Sequence, residues 1–265
     1  MTWLQVVVLA IVQGISEFLP ISSSGHLVLV PVFFGWADQG LAFDVAVHFG
    51  SLIAVCLFFR EDIKAMIRGA FSLLGLKIDG PESRMALGIA LGTIPAAVAG
   101  LTLAGWIEAN LRDPSVIVFT LAGYGILMVV ADRLGKRDKN ITDLTVKHAF
   151  LIGCAQALAL IPGTSRSGVT ITAGRFLGFD RKDAARFSFL LSVPVILLAS
   201  VYEMGSLVIS NAEVPWAQFA VAVLVSAVVA YISIDFFMRV VTKIGLLPFA
   251  IYRVVLAAVI LYLLV

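Results

Sequence analysis

Two short stretches of this chain hold most of the residues that could do chemistry. The first reads Gln13-Gly-Ile-Ser-Glu-Phe-Leu-Pro-Ile-Ser-Ser-Ser-Gly-His26. Gln13 and Glu17 are four apart, so a helix sets them on one face. Ser22, Ser23 and Ser24 come next, then Gly25, which lets the backbone turn tightly and approach a ligand, then His26. The second stretch offers Thr164, Ser165, Arg166, Ser167 and Thr170. Together they suit a phosphorylated ligand. Arg binds phosphate through paired hydrogen bonds. Backbone N–H groups in Gly/Ser turns, and helices starting near Ser23 and Ser167, favour anions. A Ser hydroxyl serves as nucleophile when a base takes its proton, and His26 is near in sequence. Glu17 could orient His26, act as the base, or hold a divalent cation (magnesium or calcium) together with Gln13. These parts permit phosphoryl transfer.

Each residue also has a structural alternative. Ser and Thr in membrane helices bond back to the helix or across to a neighbour. Gly and Pro at a helix break can be architectural, and His26 can be a packed histidine. Glu17 and Arg166 could form a buried structural ion pair. Their company in two hydroxyl-rich turns argues for a site. One rival motif fails. Ser-Gly-His at 24–26 and Ser-Arg at 165–166 echo acid-phosphatase-like lipid phosphatases, but that pattern needs a His six residues after its Arg. Here the position is Thr172, and no His occurs after Arg166.

Composition dictates what must position these groups. Of 265 residues, 60% are hydrophobic and 14% charged, and the mean hydropathy is +1.03. A soluble domain is nearer half apolar and a quarter charged. Met1 to Ala10 carries no Lys or Arg, unlike a cleavable signal peptide. Cys56 and Cys154 sit in apolar runs and are expected to be small core residues, and no Cys/His spacing suggests zinc.

A helix needs about 20 apolar residues to cross the hydrocarbon core. Six stretches are expected to do so, near 41–60, 85–107, 114–132, 186–208, 215–238 and 246–265. Four shorter pieces, near 3–18, 23–35, 147–161 and 168–178, form two pairs, each joined by a polar turn. Irregular backbone at membrane depth must be buried in protein or line a cavity. The expected fold is therefore an all-α polytopic membrane protein with six transmembrane helices and two re-entrant helical hairpins. Lys and Arg concentrate in 60–84, 133–147, 175–186 and 239–245, which together hold 16 of the 19. These segments should face the cytoplasm. Loops 36–40 and 209–214 then face outward, as do both termini. Arg112 sits in a short outward loop. Arg166 and Arg253 lie in apolar surroundings, where a charge is costly and therefore a functional candidate.

The two stretches also resemble each other. Gln13 to Gly25 and Gln156 to Gly168 share a spacing of 12, with a Pro and a hydroxyl cluster between. Ten residues after each Gly come Phe-Phe-Gly35 and Phe-Leu-Gly178. The chain reads as one membrane domain, 1–265, of two related halves, approximately 1–133 and 144–265, with opposite orientation. Secondary transporters use this inverted-topology repeat and bind where the broken elements meet.

At these motifs the sequence resembles the undecaprenyl-diphosphate phosphatase, or bacitracin-resistance, family. Gln13 through His26 matches the family's first motif and Pro162 through Thr170 its second. Phe43 to Arg60 and Pro248 to Arg253 also look like family blocks, so the likeness covers essentially the whole chain. The resemblance implies a bacterial inner-membrane enzyme that hydrolyses undecaprenyl diphosphate to undecaprenyl phosphate and inorganic phosphate. Carried over by position, Ser23 becomes the candidate nucleophile and His26 its base or phosphate partner, with water attack assisted by His26 or Glu17 open as the alternative. Glu17 becomes an acid/base or metal-binding carboxylate, and Arg166 the diphosphate anchor. Ser22, Ser24, Gly25, Ser165, Ser167, Thr170 and Arg253 would line the site. Gln13 stands where other members have Glu, which weakens a two-carboxylate cation site. The expected partners are the polyprenyl lipid, the bilayer and a second copy of the chain in a homodimer, with no nucleic acid. The rival class is a transporter or lipid flippase, which the repeat favours. The chemically different turns favour the enzyme. A structural scaffold leaves Glu17 and Arg166 unexplained.

Overall fold

The computed structural model describes residues 1–74, 80–111, 113–209 and 215–264. Lys77, Arg112 and loop residues 210–214 lie outside them. Among the described residues the chain is helical throughout, without a strand beyond one isolated bridge between Lys139 and Phe179. The helices are α1 (Trp3–Ser16), α2 (Ser23–Phe34), α3 (Leu41–Phe58), α4 (Arg60–Leu74), α5 (Pro81–Asn110) and α6 (Pro114–Leu134). Then come α7 (Val146–Ala157), α8 (Arg166–Phe176), α9 (Arg181–Ile209), α10 (Trp216–Ile244) and α11 (Leu247–Leu264).

Five helices contain stretches long and apolar enough to cross a membrane: Leu41–Phe58, Pro81–Leu103, Ser115–Leu134, Arg181–Gly205 and Trp216–Ile244. The sixth expected span, near 246–265, is α11, described from Leu247 to Leu264. α10 runs on to Ile244 and the chain turns at Gly245, whose φ of 70° ends the helix. That leaves α11 with 18 residues, about 27 Å at 1.5 Å per residue. The stretch after residue 60 holds an element that the hydropathy pattern missed. α3 ends at Phe58 with Phe59 as its cap, and the amphipathic α4 begins at once with a polar first turn of Arg60, Glu61 and Asp62.

The four short helices form two pairs broken at matching places. α1 opens on a capping box in which Thr2 and Gln5 exchange side-chain-to-backbone bonds. It ends before the Pro20 turn, and α2 begins after Ser22. α7 likewise runs into a short 3₁₀ turn at Leu158–Leu160, and α8 begins after Ser165. Left-handed glycines stand just beyond both second helices, Gly35 at φ 64° and Gly178 at φ 96°. α1 packs against α10, and α7 against α5.

Burial explains how the broken segments are held. Phe18 meets Phe189 edge-on with ring centroids 5.0 Å apart, and Phe189 continues to Phe237 and Phe237 to Phe249. This chain of buried rings ties the first turn to α9, α10 and α11. Many large apolar side chains point outward instead, among them Leu101, Phe119 and Leu224, as on a surface that faces lipid. At the basic end, Arg175 and Arg181 converge on Asp132, which also accepts the Leu246 N–H. One carboxylate thereby joins α6, α8, α9 and the turn before α11.

Close helix approach requires glycine at Gly153. A Cβ there would collide with the backbone of Gly92 on α5, whereas one on Gly105 would meet nothing. Gly153→Ala should therefore destabilise by about 1–3 kcal/mol. Gly105→Ala should be neutral or stabilise by up to about 1 kcal/mol through helix propensity. Thermal unfolding of both variants in detergent measures the contrast.

Candidate active site

The carboxylate of Glu17, 6% exposed, is the hub of the polar cluster. Its Oε1 accepts from Arg166 Nη2 at 2.8 Å. Its Oε2 accepts from Gln13 Nε2 at 3.0 Å and from the Ser23 hydroxyl at 2.7 Å. Helical spacing sets Gln13 over Glu17, and the Pro20 turn folds Ser23 back to the same oxygen. Arg166 comes from the other broken segment. Its Nη1 donates to the Ser188 carbonyl at 3.0 Å, and its guanidinium lies over the Phe18 ring at 5.5 Å. Four predicted residues from two distant stretches are thus brought into one cluster.

The two turns have the same construction. Ser22 (φ 75°) and Ser165 (φ 71°) both adopt positive φ, a conformation that costs a non-glycine residue about 1 kcal/mol or more. Each caps its helix, with Ser22 Oγ accepting Gly25 N–H and Ser165 Oγ accepting Gly168 N–H. Each cap hydroxyl lies 3.4 Å from the serine two residues on, Ser24 and Ser167. In this register Ser23 and Arg166 occupy equivalent first positions of α2 and α8. Thr170 turns its hydroxyl to Ser188 Oγ, 2.7 Å away, beside the carbonyl that Arg166 grips.

Two predicted residues stand outside the cluster. His26 does not bond Ser23. Its Nδ1 lies 2.7 Å from the Ser22 carbonyl and its Nε2 2.6 Å from Tyr252 Oη. Arg253, 1% exposed, makes five hydrogen bonds, all to backbone carbonyls: Leu121, Thr120, Pro20, Gly163 and Thr164. Its place is between the two turns and α6, where it satisfies carbonyls that the helix breaks leave open.

Sequence reasoning missed three contributors. His48 on α3 puts Nε2 3.4 Å from Glu17 Oε2 while its Nδ1 lies 2.6 Å from the Asp44 carbonyl. An ionisable residue inside an apolar span was the available signal. Ser188 and Tyr252 carried none, because each matters only through a partner distant in sequence.

Among the described residues no three His, Cys, Asp or Glu side chains gather to hold a metal. The donor set is still compatible with a hard cation that brings water and phosphate oxygens as its other ligands. Gln13 Oε1 is buried without a hydrogen-bond partner, and it belongs to the side chain that bonds the one carboxylate. The large apolar groove between α3, α9 and α10, about 920 Å³, is lined by other residues, such as Phe49 and Trp216.

Residues 6–259 match the family described as bacitracin resistance protein BacA. This chain belongs to that family. It is 50% identical over 266 residues to undecaprenyl-diphosphatase 2 of Stutzerimonas stutzeri, covering 99% of this chain and 98% of the relative. It is 52% identical over 259 residues to an undecaprenyl-diphosphatase of Hahella chejuensis, covering 97% of each. A third relative, from Saccharophagus degradans, bears the same name and is 52% identical over 258 residues, covering 96% of each.

If Arg253 holds the turns together, Arg253→Ala should destabilise the fold on the order of 3 kcal/mol, because buried carbonyls lose their donors. Arg253→Lys should restore only part of that, since an ammonium cannot fork. A wild-type melting curve for Arg253→Ala, with only substrate binding lost, would place this arginine on the ligand instead.

Proposed function

We propose that this protein is a membrane phosphatase hydrolysing undecaprenyl diphosphate to undecaprenyl phosphate and inorganic phosphate. It thereby recycles the carrier lipid for cell-wall synthesis and confers bacitracin resistance. Family membership supports the substrate. The observation that carries the mechanism is the 2.7 Å bond from the Ser23 hydroxyl to Glu17, itself paired with Arg166.

In this mechanism Ser23 Oγ attacks the terminal phosphorus while Glu17 takes its proton. The bond to the bridging oxygen breaks, and undecaprenyl phosphate leaves. Glu17 passes the proton to the departing phosphate oxygen. Water then attacks the phosphoserine, and Glu17 takes a proton from the water and returns it to Ser23 Oγ as phosphate is released. Arg166 anchors the diphosphate, and the N-termini of α2 and α8 direct N–H groups toward its oxygens. Ser22, Ser24, Gly25, Ser165, Ser167 and Thr170 line the same two turns. Glu17 and Gln13 would hold a divalent cation, whose chemistry there is to offset phosphate charge.

The proposed architecture has six spans, α11 among them, and two re-entrant hairpins, α1–α2 and α7–α8, related as an inverted repeat in one domain. The matched serine caps and the paired packing of α1 on α10 and α7 on α5 support it. The proposed location is the bacterial inner membrane with both termini periplasmic. Two biases agree on this orientation. The basic segments fall at one set of helix ends. Trp3, Trp36, Trp106 and Trp216 lie at or near the opposite ends, as in an interfacial aromatic belt. The partners are the polyprenyl lipid and the bilayer rather than nucleic acid, and a homodimer would pair lipid-facing helices. The paired packing also suits a lipid flippase, and flux into proteoliposomes without phosphate release would reverse the choice.

Purified protein should release phosphate from undecaprenyl diphosphate. Ser23→Ala and Glu17→Gln should each lower kcat by about 10²–10⁴, and chelation should reduce release until magnesium or calcium is restored. Undiminished release after both Arg166→Ala and His26→Ala would remove the site assignment. For orientation, a membrane-impermeant thiol reagent should label Asp38→Cys but not Lys136→Cys in intact spheroplasts.

A further inference from the structure

His26 has two partners, and neither is the nucleophile. The Ser22 carbonyl can only accept, so Nδ1 carries the ring proton in the 2.7 Å contact. In the neutral ring, Nε2 is then the acceptor, and the Tyr252 hydroxyl, 2.6 Å away, is its donor. The two rings also stack, with centroids 5.6 Å apart and planes at 11°. Tyr252 directly precedes Arg253, whose guanidinium reaches the Pro20 carbonyl of the same turn. One turn of α11 therefore fixes the first hairpin turn at two points.

The sister turn shows what this buttress is for. Ser165 has the same positive φ and the same cap to Gly168, yet Val169 occupies the place of His26, and among the described residues the Ser165 carbonyl accepts only the ordinary helical bond from Val169 N. The serine turn forms without an imidazole. The two turns differ at the next position, which is Ser23 in one and Arg166 in the other. An arginine reaches its target on a long side chain. A serine hydroxyl has one rotatable bond, so its aim is set by the backbone beneath it. The Ser22 carbonyl receives both His26 N–H and His26 Nδ1–H, which pins the peptide joining Ser22 to Ser23.

We propose that Tyr252 and His26 are positioning residues: Tyr252 holds the His26 ring, His26 holds the Ser22 carbonyl, and the pinned peptide aims Ser23 Oγ at Glu17. The proposal builds on Ser23 as the nucleophile, and it replaces a proton-transfer role for His26 with a geometric one.

The test measures kcat and KM of the purified full chain with undecaprenyl diphosphate. His26→Asn keeps a donor near the Nδ1 position but cannot act as a base. It should retain activity within about threefold of wild type, while His26→Ala loses about tenfold or more in kcat with little change in KM. Tyr252→Phe keeps the stack and removes one hydrogen bond, and should cost about fivefold in kcat. In the His26→Asn background, which has no Nε2, the same substitution should cost nothing. Thermal midpoints should stay at the wild-type value for His26→Asn and Tyr252→Phe. In ¹⁵N-histidine spectra, wild-type His26 should show the Nδ1–H tautomer, with an Nε2 shift in Tyr252→Phe. His26→Asn as slow as His26→Ala would overturn the proposal in favour of imidazole chemistry. So would a Tyr252→Phe effect that persists in the His26→Asn background. Full activity in Ser23→Ala would instead remove the nucleophile itself.

Discussion

Everything at this site depends on the buried pairing of Glu17 with Arg166. Neither charge is tolerable alone in an apolar interior, where removing one partner of such a pair costs about 3–5 kcal/mol. The pair joins two segments 149 residues apart, so it fixes the site and also holds the halves of the chain together. It leaves Glu17 as a carboxylate poised to accept from Ser23, and Arg166 with further N–H donors beyond its two bonds. In the proposed mechanism, the contact that lets both charges exist in an apolar interior also sets a base beside a hydroxyl and an anion anchor opposite.

The helix breaks that create the site also create a cost. Interrupting a helix at membrane depth frees backbone carbonyls, and each needs a donor where water is scarce. Arg253 meets that need for both turns at once. Ser22 and Ser165 instead cap the freed N–H groups at the starts of α2 and α8, at the expense of positive φ. Polar residues in this chain therefore divide into two kinds. Some neutralise the breaks, and others, in the proposed mechanism, act on the lipid diphosphate. Arg253 resembles Arg166 in sequence context and differs from it entirely in occupation.

That distinction marks the limit of what was legible in the sequence. Hydropathy located the apolar helices, though not the amphipathic α4, because lipid demands long apolar runs, and Gln13, Glu17, Ser23 and Arg166 stood out as polar groups that such runs do not tolerate without reason. The equivalence of the two turns was visible from Gln-to-Gly spacing and reappears in matching caps. The start of α11 was legible to within a residue, but the end of α10 at Ile244, beyond the expected 238, was not, because Gly245 ends that helix through a backbone angle rather than a change of polarity. Nor were the roles of His48, Tyr252 and Ser188, which arise from contacts between helices. His26 shows the same limit from the other side: nearness in sequence to Ser23 suggested a base, while the helix carries its ring toward α11.

The central claim is that Ser23, activated by Glu17, forms a covalent phosphoryl intermediate. The stereochemical course at phosphorus tests this most directly, using undecaprenyl diphosphate made chiral at its terminal phosphorus by thio and oxygen-isotope labels. Two successive in-line displacements predict net retention of configuration in the released thiophosphate. Inversion would mean a single attack by water and would contradict the account.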